Sequence, residues 1–314
     1  MFSLEGRRVW VAGHTGMVGS AVVRRLASTR VSELITATSA EVDLRDQSAT
    51  RDFVLSGKPD VAIIAAARVG GIHANRTAQA DFLYDNTLIA MNSLRSCLEA
   101  GVVKTAVLGS SCIYPAESSQ PIKEEYLLTG PLEPTNEGYA VAKIAALEYG
   151  KMLRKQHGLD VISLMPTNLY GPGDNYDLES SHVVPALIRK THEAKMAAAS
   201  SMELWGSGRP RREFLHVDDL ADAVVFALER YSEDQHLNVG TGEDLSIMEL
   251  ARLIGRVVDW QGEYVFDPEM PDGVMRKLLD VGRLRDLGWE ASIPLEKGID
   301  RTYRSFLEET AASV

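Results

Sequence analysis

An α/β fold, a doubly wound parallel sheet followed by a smaller C-terminal α/β domain, is what this sequence predicts. Three observations carry the expectation. Short apolar runs alternate with helix-forming stretches between Arg8 and Met165, giving five βα repeats without internal duplication. The first run ends in a glycine turn, Gly13-His14-Thr15-Gly16-Met17-Val18-Gly19, that opens a helix. The fourth run, Val107-Leu108-Gly109-Ser110-Ser111-Cys112-Ile113-Tyr114-Pro115, stops in small hydroxyl residues. A buried parallel strand reads this way where its C-terminal end opens into a cleft, the place where open α/β sheets bind ligands.

Composition sets the limits. A chain of 314 residues can bury a sizeable core and makes one large or two intimately joined domains. Hydrophobic content of 45% with 25% charge is ordinary for a soluble globular protein. No apolar run approaches the roughly 18 residues of a membrane helix, and the N-terminus lacks a signal peptide pattern, so a cytoplasmic protein with no membrane partner is expected. Two cysteines, Cys97 and Cys112, make neither a disulfide framework nor a metal site. The net charge of −11 argues against a nucleic-acid partner, and an anionic ligand would need a local basic patch.

Taken in order, Arg8–Ala12 is the first strand. The glycines after it let the backbone approach a pyrophosphate that rests on the following helix N-terminus. Glycine triplets alone also make plain turns, and it is the position after the first strand that favours a dinucleotide. The second strand, Leu34–Thr38, ends without the acid that would hold an NAD ribose and without an arginine for a 2′-phosphate, which leaves the cofactor open on residues alone. Asp43 and Leu44 either border the adenine or begin a helix with solvated charges. The third strand, Val61–Ala67, ends in small residues, including Ala66, that suit a cofactor wall. A helix between Ala80 and Ala100 carries Asn86, Asn92 and Cys97 as packing residues. After the fourth strand, Tyr139 and Lys143 lie four apart in a helix-forming segment, so both project from one face. An ammonium beside the phenol is expected to lower its pKa from about 10 and make it a proton donor or acceptor near neutrality.

The fifth strand is Asp160–Met165. After Pro172 a polar loop leads to His182, which reads equally as a capping histidine, and then to a helix bearing Arg189 and Lys190. Met202–Trp205 is a short strand before the cluster Arg209, Arg211 and Arg212, whose guanidinium forks suit diphosphate oxygens, with Trp205 covering a sugar or base. The bland alternative is a solvated basic run. Leu237–Gly242 returns a strand to the main sheet, Ser246 caps a helix, and Pro271-Asp272-Gly-Val-Met-Arg-Lys277 adds ligand-facing polarity before a helical tail. Residues 1–165 and 213–240 are expected to form the dinucleotide-binding domain, and 166–212 and 241–314 the substrate-binding domain.

The glycine turn, Gly109–Pro115, Glu133-Pro-Thr-Asn136 with Tyr139 and Lys143, Pro166-Thr167-Asn168-Leu169-Tyr-Gly-Pro172 and Arg212–Asp219 together resemble the extended short-chain dehydrogenase/reductase family. The Ser-Ser-Cys-Ile-Tyr-Pro stretch and Ser181–Leu187 are similar, within it, to the members that convert GDP-4-keto-6-deoxy-D-mannose to GDP-L-fucose. That likeness extends over essentially the whole chain. It implies a Rossmann sheet, NADP(H) as cofactor, a GDP-sugar substrate, epimerisation at C3 and C5, then reduction of the C4 ketone, in a homodimer. Alternatives within the family are a synthase acting on a 3-deoxy sugar and an NAD-dependent 4-epimerase. A non-enzymatic cofactor sensor is disfavoured by an intact Ser110, Tyr139 and Lys143.

The resemblance also implies roles. Epimerisation removes a proton next to a carbonyl and returns one to the opposite face, which needs a base and an acid. These would be Cys112 and His182, although a cysteine at a strand end is by itself more often a small buried hydrophobe. Tyr139 and Ser110 would hold the C4 oxygen, and Lys143 the nicotinamide ribose. The cofactor would lie along residues 13–19, Thr38, Ser39, Asp43, Leu44, Ala66, Leu108, Gly109, Ser110, Ser111, Tyr139, Lys143, Pro166, Thr167, Asn168, Leu169 and His182. Lys190, Trp205, Arg212 and Asp272 would contact the GDP-sugar. His216 is expected to order structure. The sequence departs from the bacterial members in placing Thr15 and Ser39 where they carry arginines, so Thr38, Ser39 and backbone N–H groups are left to receive a 2′-phosphate.

Overall fold

Residues 2–267 and 272–312 are described in a computed structural model; Pro271 of the polar stretch lies outside them. The chain opens with β1 (Arg8–Ala12), α1 (Met17–Leu26), β2 (Glu33–Ile35), α2 (Gln47–Gly57), β3 (Val61–Ile64), α3 (Ile72–Thr77), α4 (Gln79–Glu99), β4 (Lys104–Leu108), α5 (Glu137–His157) and β5 (Asp160–Pro166). It continues through β6 (Asn168–Tyr170), α6 (Val183–Met196), β7 (Ser201–Trp205), β8 (Arg211–Arg212), β9 (Phe214–His216), α7 (Val217–Arg230) and β10 (Leu237–Val239).

Six of these strands form one parallel sheet in the order β2-β1-β3-β4-β5-β10. Every residue of β3 and β4 is buried, which is why those strands read as unbroken apolar runs rather than alternating ones. Helices α1 and α7 cover one face through Val22, Leu26, Leu220, Val224 and Leu228, packed on Val9, Val11 and Ile63. Helices α2, α4 and α5 cover the other through Val54, Leu94, Cys97, Ala146 and Leu153, packed on Trp10, Ile64 and Val107. Strand order reverses between β1 and β3, and a crevice opens at such a switch point beyond the carboxyl ends of the strands.

The second strand is shorter than the sequence predicts. It spans Glu33–Ile35 rather than Leu34–Thr38, because β2 is the sheet edge and pairs with β1 alone. The predicted return strand is present as β10, pairing with β5 from Leu237 to Val239.

The remainder builds a second, smaller unit with β11 (Leu245–Ser246), α8 (Ile247–Val258), β12 (Glu263–Asp267), β13 (Arg276–Lys277), α9 (Gly282–Asp286) and α10 (Leu295–Ala312). Its core is Tyr170, Val184, Leu187, Ile188, Leu250, Ile254, Val258 and Phe306. Strand β7 runs parallel to β12, β6 parallel to β9, and β8 lies between β11 and β13. Ser246 caps α8 as expected, in a full capping box with Glu249. The buried Glu213 ties the two units: its carboxylate accepts from the N–H groups of Thr241 and Gly242 at 2.7 Å and of Leu279 at 3.0 Å. Burial raises its pKa against those three donors, so the latch depends on all of them being made.

Candidate active site

At the switch point the glycine turn is fitted to the end of β3. Gly13 has φ +80, and a Cβ there would stand 2.7 Å from Ala66 Cα. A Cβ on Gly19 would stand 2.0 Å from the Gly13 carbonyl oxygen. Those contacts bring β1, its turn and α1 closer together than any side chain allows. Among the described residues no side chain caps α1 and no acid sits in its first turn, which leaves the first-turn N–H groups, those of Met17, Val18 and Gly19, without a side-chain cap. A cradle of this kind accepts a diphosphate through the helix dipole and the free donors together. His14 Nδ1 is buried within it and takes no hydrogen bond among the described residues.

The loop after β2, expected at the cofactor ribose, is built differently. Thr38, expected as a phosphate donor, is already engaged: its N–H and its Oγ1 both reach Glu41 Oε2 at 2.8 Å. Those bonds hold the Glu41 carboxyl below its ordinary range. Asp43 binds Arg45, which also reaches Asp85, and the cap of α2 is Asp46 rather than Asp43. Ser39 is exposed.

The reacting group gathers at the carboxyl end of β4. Gly109 passes so close to β5 that a Cβ would strike Met165 at 2.2 Å, and its N–H donates to Leu164 at 2.8 Å. Ser110 then caps a short 3₁₀ turn, Ser111–Ile113, its Oγ accepting from Cys112 N–H at 3.2 Å. The Ser110 hydroxyl also acts on the Tyr139 phenol, favouring its charged form. Lys143, one turn on along α5, puts Nζ 5.6 Å from the Tyr139 ring centre and donates to the Leu108 carbonyl at 2.8 Å. Asn136, just before α5, donates from Nδ2 to Cys112 Sγ at 3.2 Å. Five polar side chains from two elements thus form one connected group.

The electrostatics correct one expectation. Burial, and then charge on Cys112, push the Tyr139 pKa up, with the Ser110 hydroxyl opposing, where the sequence predicted a lowered value. The ammonium lies over the ring and is tied to Leu108, so it does not offset desolvation of the phenolate. Lys143 is itself pulled down to about 8 by burial. Tyr139 is therefore held as a neutral phenol, the form that donates to a carbonyl oxygen.

His182 is the N-cap residue of α6, and its loop is pinned to the end of β3 by Gly71 N–H donating to Ser180 at 2.8 Å. His182 is exposed, yet the surrounding protein lowers its pKa by desolvation. Among the described residues it shares no hydrogen bond with the Ser110 group. Pro166 ends β5. Thr167 and Asn168, expected at the cofactor, bond the Glu213 carbonyl at 3.2 and 2.9 Å, and Leu169 is half-buried in β6.

On the second unit, Lys190 Nζ lies 5.5 Å from the ring centre of the exposed Trp205. Arg211 is committed to Asp244 and Glu249, which removes it from the expected diphosphate cluster. Among the described residues Arg209 and Arg212 make no ion pair, and Arg212 donates from Nη1 to the Arg211 carbonyl at 2.9 Å. Burial lowers its pKa, and the charges of Asp272 and Glu133 only partly offset this. Asp272 holds the Gly206 turn through Ser207 N–H at 2.6 Å and Ser207 Oγ at 2.7 Å. His216 caps α7, accepting from Asp218 N–H at 3.2 Å, the ordering role the sequence suggested. The sequence reading missed Asn136 and Glu41 as site residues. The signal for Asn136 was its place directly ahead of a helix-forming run.

Sheet order, glycine cradle and the Ser110, Tyr139, Lys143 arrangement define the class: the chain belongs to the NAD dependent epimerase/dehydratase family, which matches residues 9–240. Its relatives narrow the class to the GDP-L-fucose synthases. It is 52% identical over 311 residues to the GDP-L-fucose synthase of Sinorhizobium fredii, covering 99% of each chain. It is 50% identical over 310 residues to the probable GDP-L-fucose synthase 1 of Oryza sativa subsp. japonica, covering 98% of this chain and 94% of that one. Among solved structures, a GDP-L-fucose synthetase from Naegleria fowleri bound to NADP superposes with a TM-score of 0.90 at 28% identity, over 99% and 97% of the two chains.

Proposed function

We propose that this chain is an NADP(H)-dependent enzyme that converts GDP-4-keto-6-deoxy-D-mannose to GDP-L-fucose, epimerising C3 and C5 and then reducing the C4 ketone. The observation that carries the reading is the thiol of Cys112 in contact with the group that holds Ser110, Tyr139 and Lys143. A simple 4-epimerase has no use for an acid–base residue there. The names of the relatives point the same way.

Each residue then has a task set by its surroundings. The neutral Tyr139 phenol and Ser110 hydroxyl donate to the C4 oxygen, polarising the ketone so that neighbouring protons can leave. Cys112 as thiolate takes the proton at C3 or C5. The C–H electron pair moves into the enolate on the C4 oxygen, and His182 as imidazolium returns a proton to the other face. His182, with its lowered pKa, gives up that proton readily. The residue 13–19 cradle and Lys143 would hold NADP(H), which would supply a hydride for C4, and Tyr139 gives the proton to the C4 oxygen. Lys190, Trp205, Arg212 and Asp272 are assigned to the GDP-sugar, with Arg212 on the diphosphate. The two-part domain division at residues 165, 213 and 240 belongs to this reading.

The working enzyme is read as a cytoplasmic homodimer without nucleic-acid or membrane partners. Support for the dimer comes from α4 and α5, which pack on each other and leave Leu83, Tyr84, Val141 and Met152 exposed. No helix of the described residues is long and apolar enough to cross a membrane, and none of them form a cluster that could hold a metal ion.

The test is incubation with GDP-4-keto-6-deoxy-D-mannose and NADPH in deuterated water, followed by product identification. Wild type should give GDP-L-fucose labelled at C3 and C5. Cys112→Ser should lose the labelling by about 10²-fold or more, the usual worth of a general base, with NADPH binding unchanged. Labelling that persists in Cys112→Ser removes the thiol from the scheme.

A further inference from the structure

An asparagine at the start of a helix ordinarily turns its side chain back onto the first-turn N–H groups. Asp46 on α2, His216 on α7 and Ser246 on α8 all do this. Asn136 holds the same place on α5 and does not. Its Nδ2 donates to Cys112 Sγ instead, and its Oδ1 is buried with no hydrogen-bond partner. The helix is served from a distance: Gln79 on α4 accepts from Gly138 N–H at 3.1 Å and donates to the Pro134 carbonyl at 2.9 Å. That substitution requires a close approach of α4, and position 138 provides it, since a Cβ there would stand 2.4 Å from the Gln79 carbonyl oxygen. Another residue therefore caps the helix, and Asn136 is free to serve the sulfur.

The chemistry of that contact is one-sided. A neutral thiol is a weak acceptor, whereas a charged sulfur is a strong one, so an amide N–H held at 3.2 Å favours the anion and fixes the direction of its lone pairs. The other groups facing the sulfur are Ser110, Tyr139 and Lys143. Ser110 Oγ accepts from the Cys112 N–H and the Lys143 ammonium is spent on the Leu108 carbonyl, so among the described residues the amide is the donor in direct contact with Sγ.

We propose that Asn136 is a catalytic residue of the epimerisation, its Nδ2–H holding Cys112 as the charged proton acceptor. This rests on the reading of Cys112 as the base. When the sulfur takes the substrate proton, an S–H bond forms as the C–H bond breaks. The amide then faces a poorer acceptor, so its bond is strongest before transfer, when the base must be ready.

Alkylation by iodoacetamide tests it without turnover. Cys97 is fully buried with its thiol pushed up to about 12, so the reaction reports Cys112. Asn136→Ser retains a capping side chain and protects the helix start if Asn136→Ala folds poorly. Both should slow alkylation at neutral pH about tenfold, the worth of one hydrogen bond to a charged group. Asn136→Asp, which sets a carboxylate against the sulfur, should slow it further. Deuterium exchange at C3 and C5 should fall by the same factor, with the melting temperature and NADPH affinity of wild type. Alkylation at the wild-type rate in Asn136→Ser overturns the proposal, whatever exchange does. Exchange that persists in Cys112→Ser would instead defeat the base assignment and with it the catalytic role, while the alkylation rates would still show whether the amide acts on the sulfur.

Discussion

The two ends of the dinucleotide crevice are made of different materials. At the β1 turn, backbone meets backbone: Gly13 against Ala66 and Gly19 against the Gly13 carbonyl, with no side chain between. At the end of β2, side chain meets side chain and loop, Glu41 holding Thr38 on an exposed edge. Backbone contacts at van der Waals distance have no rotamer to give way, so a change there moves the turn and everything it positions. A carboxylate on a surface loop can swing aside at small cost. The first end is fixed by the fold, and the second can be retuned without disturbing it.

The sharpest way to break that comparison is Gly19→Ala. The added methyl would stand 2.0 Å from the Gly13 oxygen, which forces the turn outward and pulls its N–H groups off the diphosphate. Losing two charge-assisted hydrogen bonds weakens NADPH binding by roughly 10³-fold. Titration by calorimetry should show this for NADPH and NADH alike, since the diphosphate is common to both. Wild-type affinity in the variant would mean that the cradle is not where the cofactor rests.

Lys143→Met probes the same rigid region through stability. Burial lowers the folded-state pKa of Lys143 from 10.5 to about 8. The unfolded chain therefore binds the proton more tightly, and the charged lysine costs the fold stability that is fully lost below about pH 8 and regained by about pH 10.5. Once the lost bond to Leu108 is set against it, the substitution should stabilise the ligand-free protein at pH 7 by on the order of 2 kcal/mol. The gain should shrink as pH rises from 8 to 10.5. Turnover should fall by about 10²-fold in the same protein, because the nicotinamide ribose loses its ammonium. A melting temperature that drops at pH 7 would show that the bond to Leu108 outweighs the buried charge.

The same contrast decides what could be read from sequence. The parallel sheet and the glycine turn were legible because periodicity, glycine spacing and apolar runs report backbone geometry directly, as β3 and β4 illustrate. Tyr139 and Lys143 were legible as a pair because helical spacing sets their common face. Their electrostatics were not, because the ammonium's partner is a carbonyl on another strand, Leu108, which spacing along α5 cannot reveal. Arg211 and Thr38 have partners that were hidden for a related reason. Each has a donor group the chemistry would welcome, but Asp244 and Glu41 take it first, and nothing local in sequence says which neighbour wins. Asn136 stands at the N-cap position of α5, and only the arrival of Gln79 from 57 positions away, counted from 79 to 136, frees its side chain.

The smallest effect belongs to the adjustable end. Glu41 is held ionised by Thr38 N–H and Oγ1, so at neutral pH its charge stands where the 2′-phosphate of NADPH would seek the same donors. Arg45, the arginine of the same loop, is shared between Asp43 and Asp85. NADH, with a ribose hydroxyl at that position, can use the carboxylate as an acceptor instead. Glu41→Gln removes the charge while keeping the length of the side chain, and should raise kcat/KM for NADPH relative to NADH by about threefold to fivefold, a range suited to an exposed charge. The gain should fade at high ionic strength, since the interaction is screened by solvent ions. If the ratio stays unchanged at low salt, or moves toward NADH, the carboxylate already leaves Thr38 when cofactor binds and takes no part in choosing between the two.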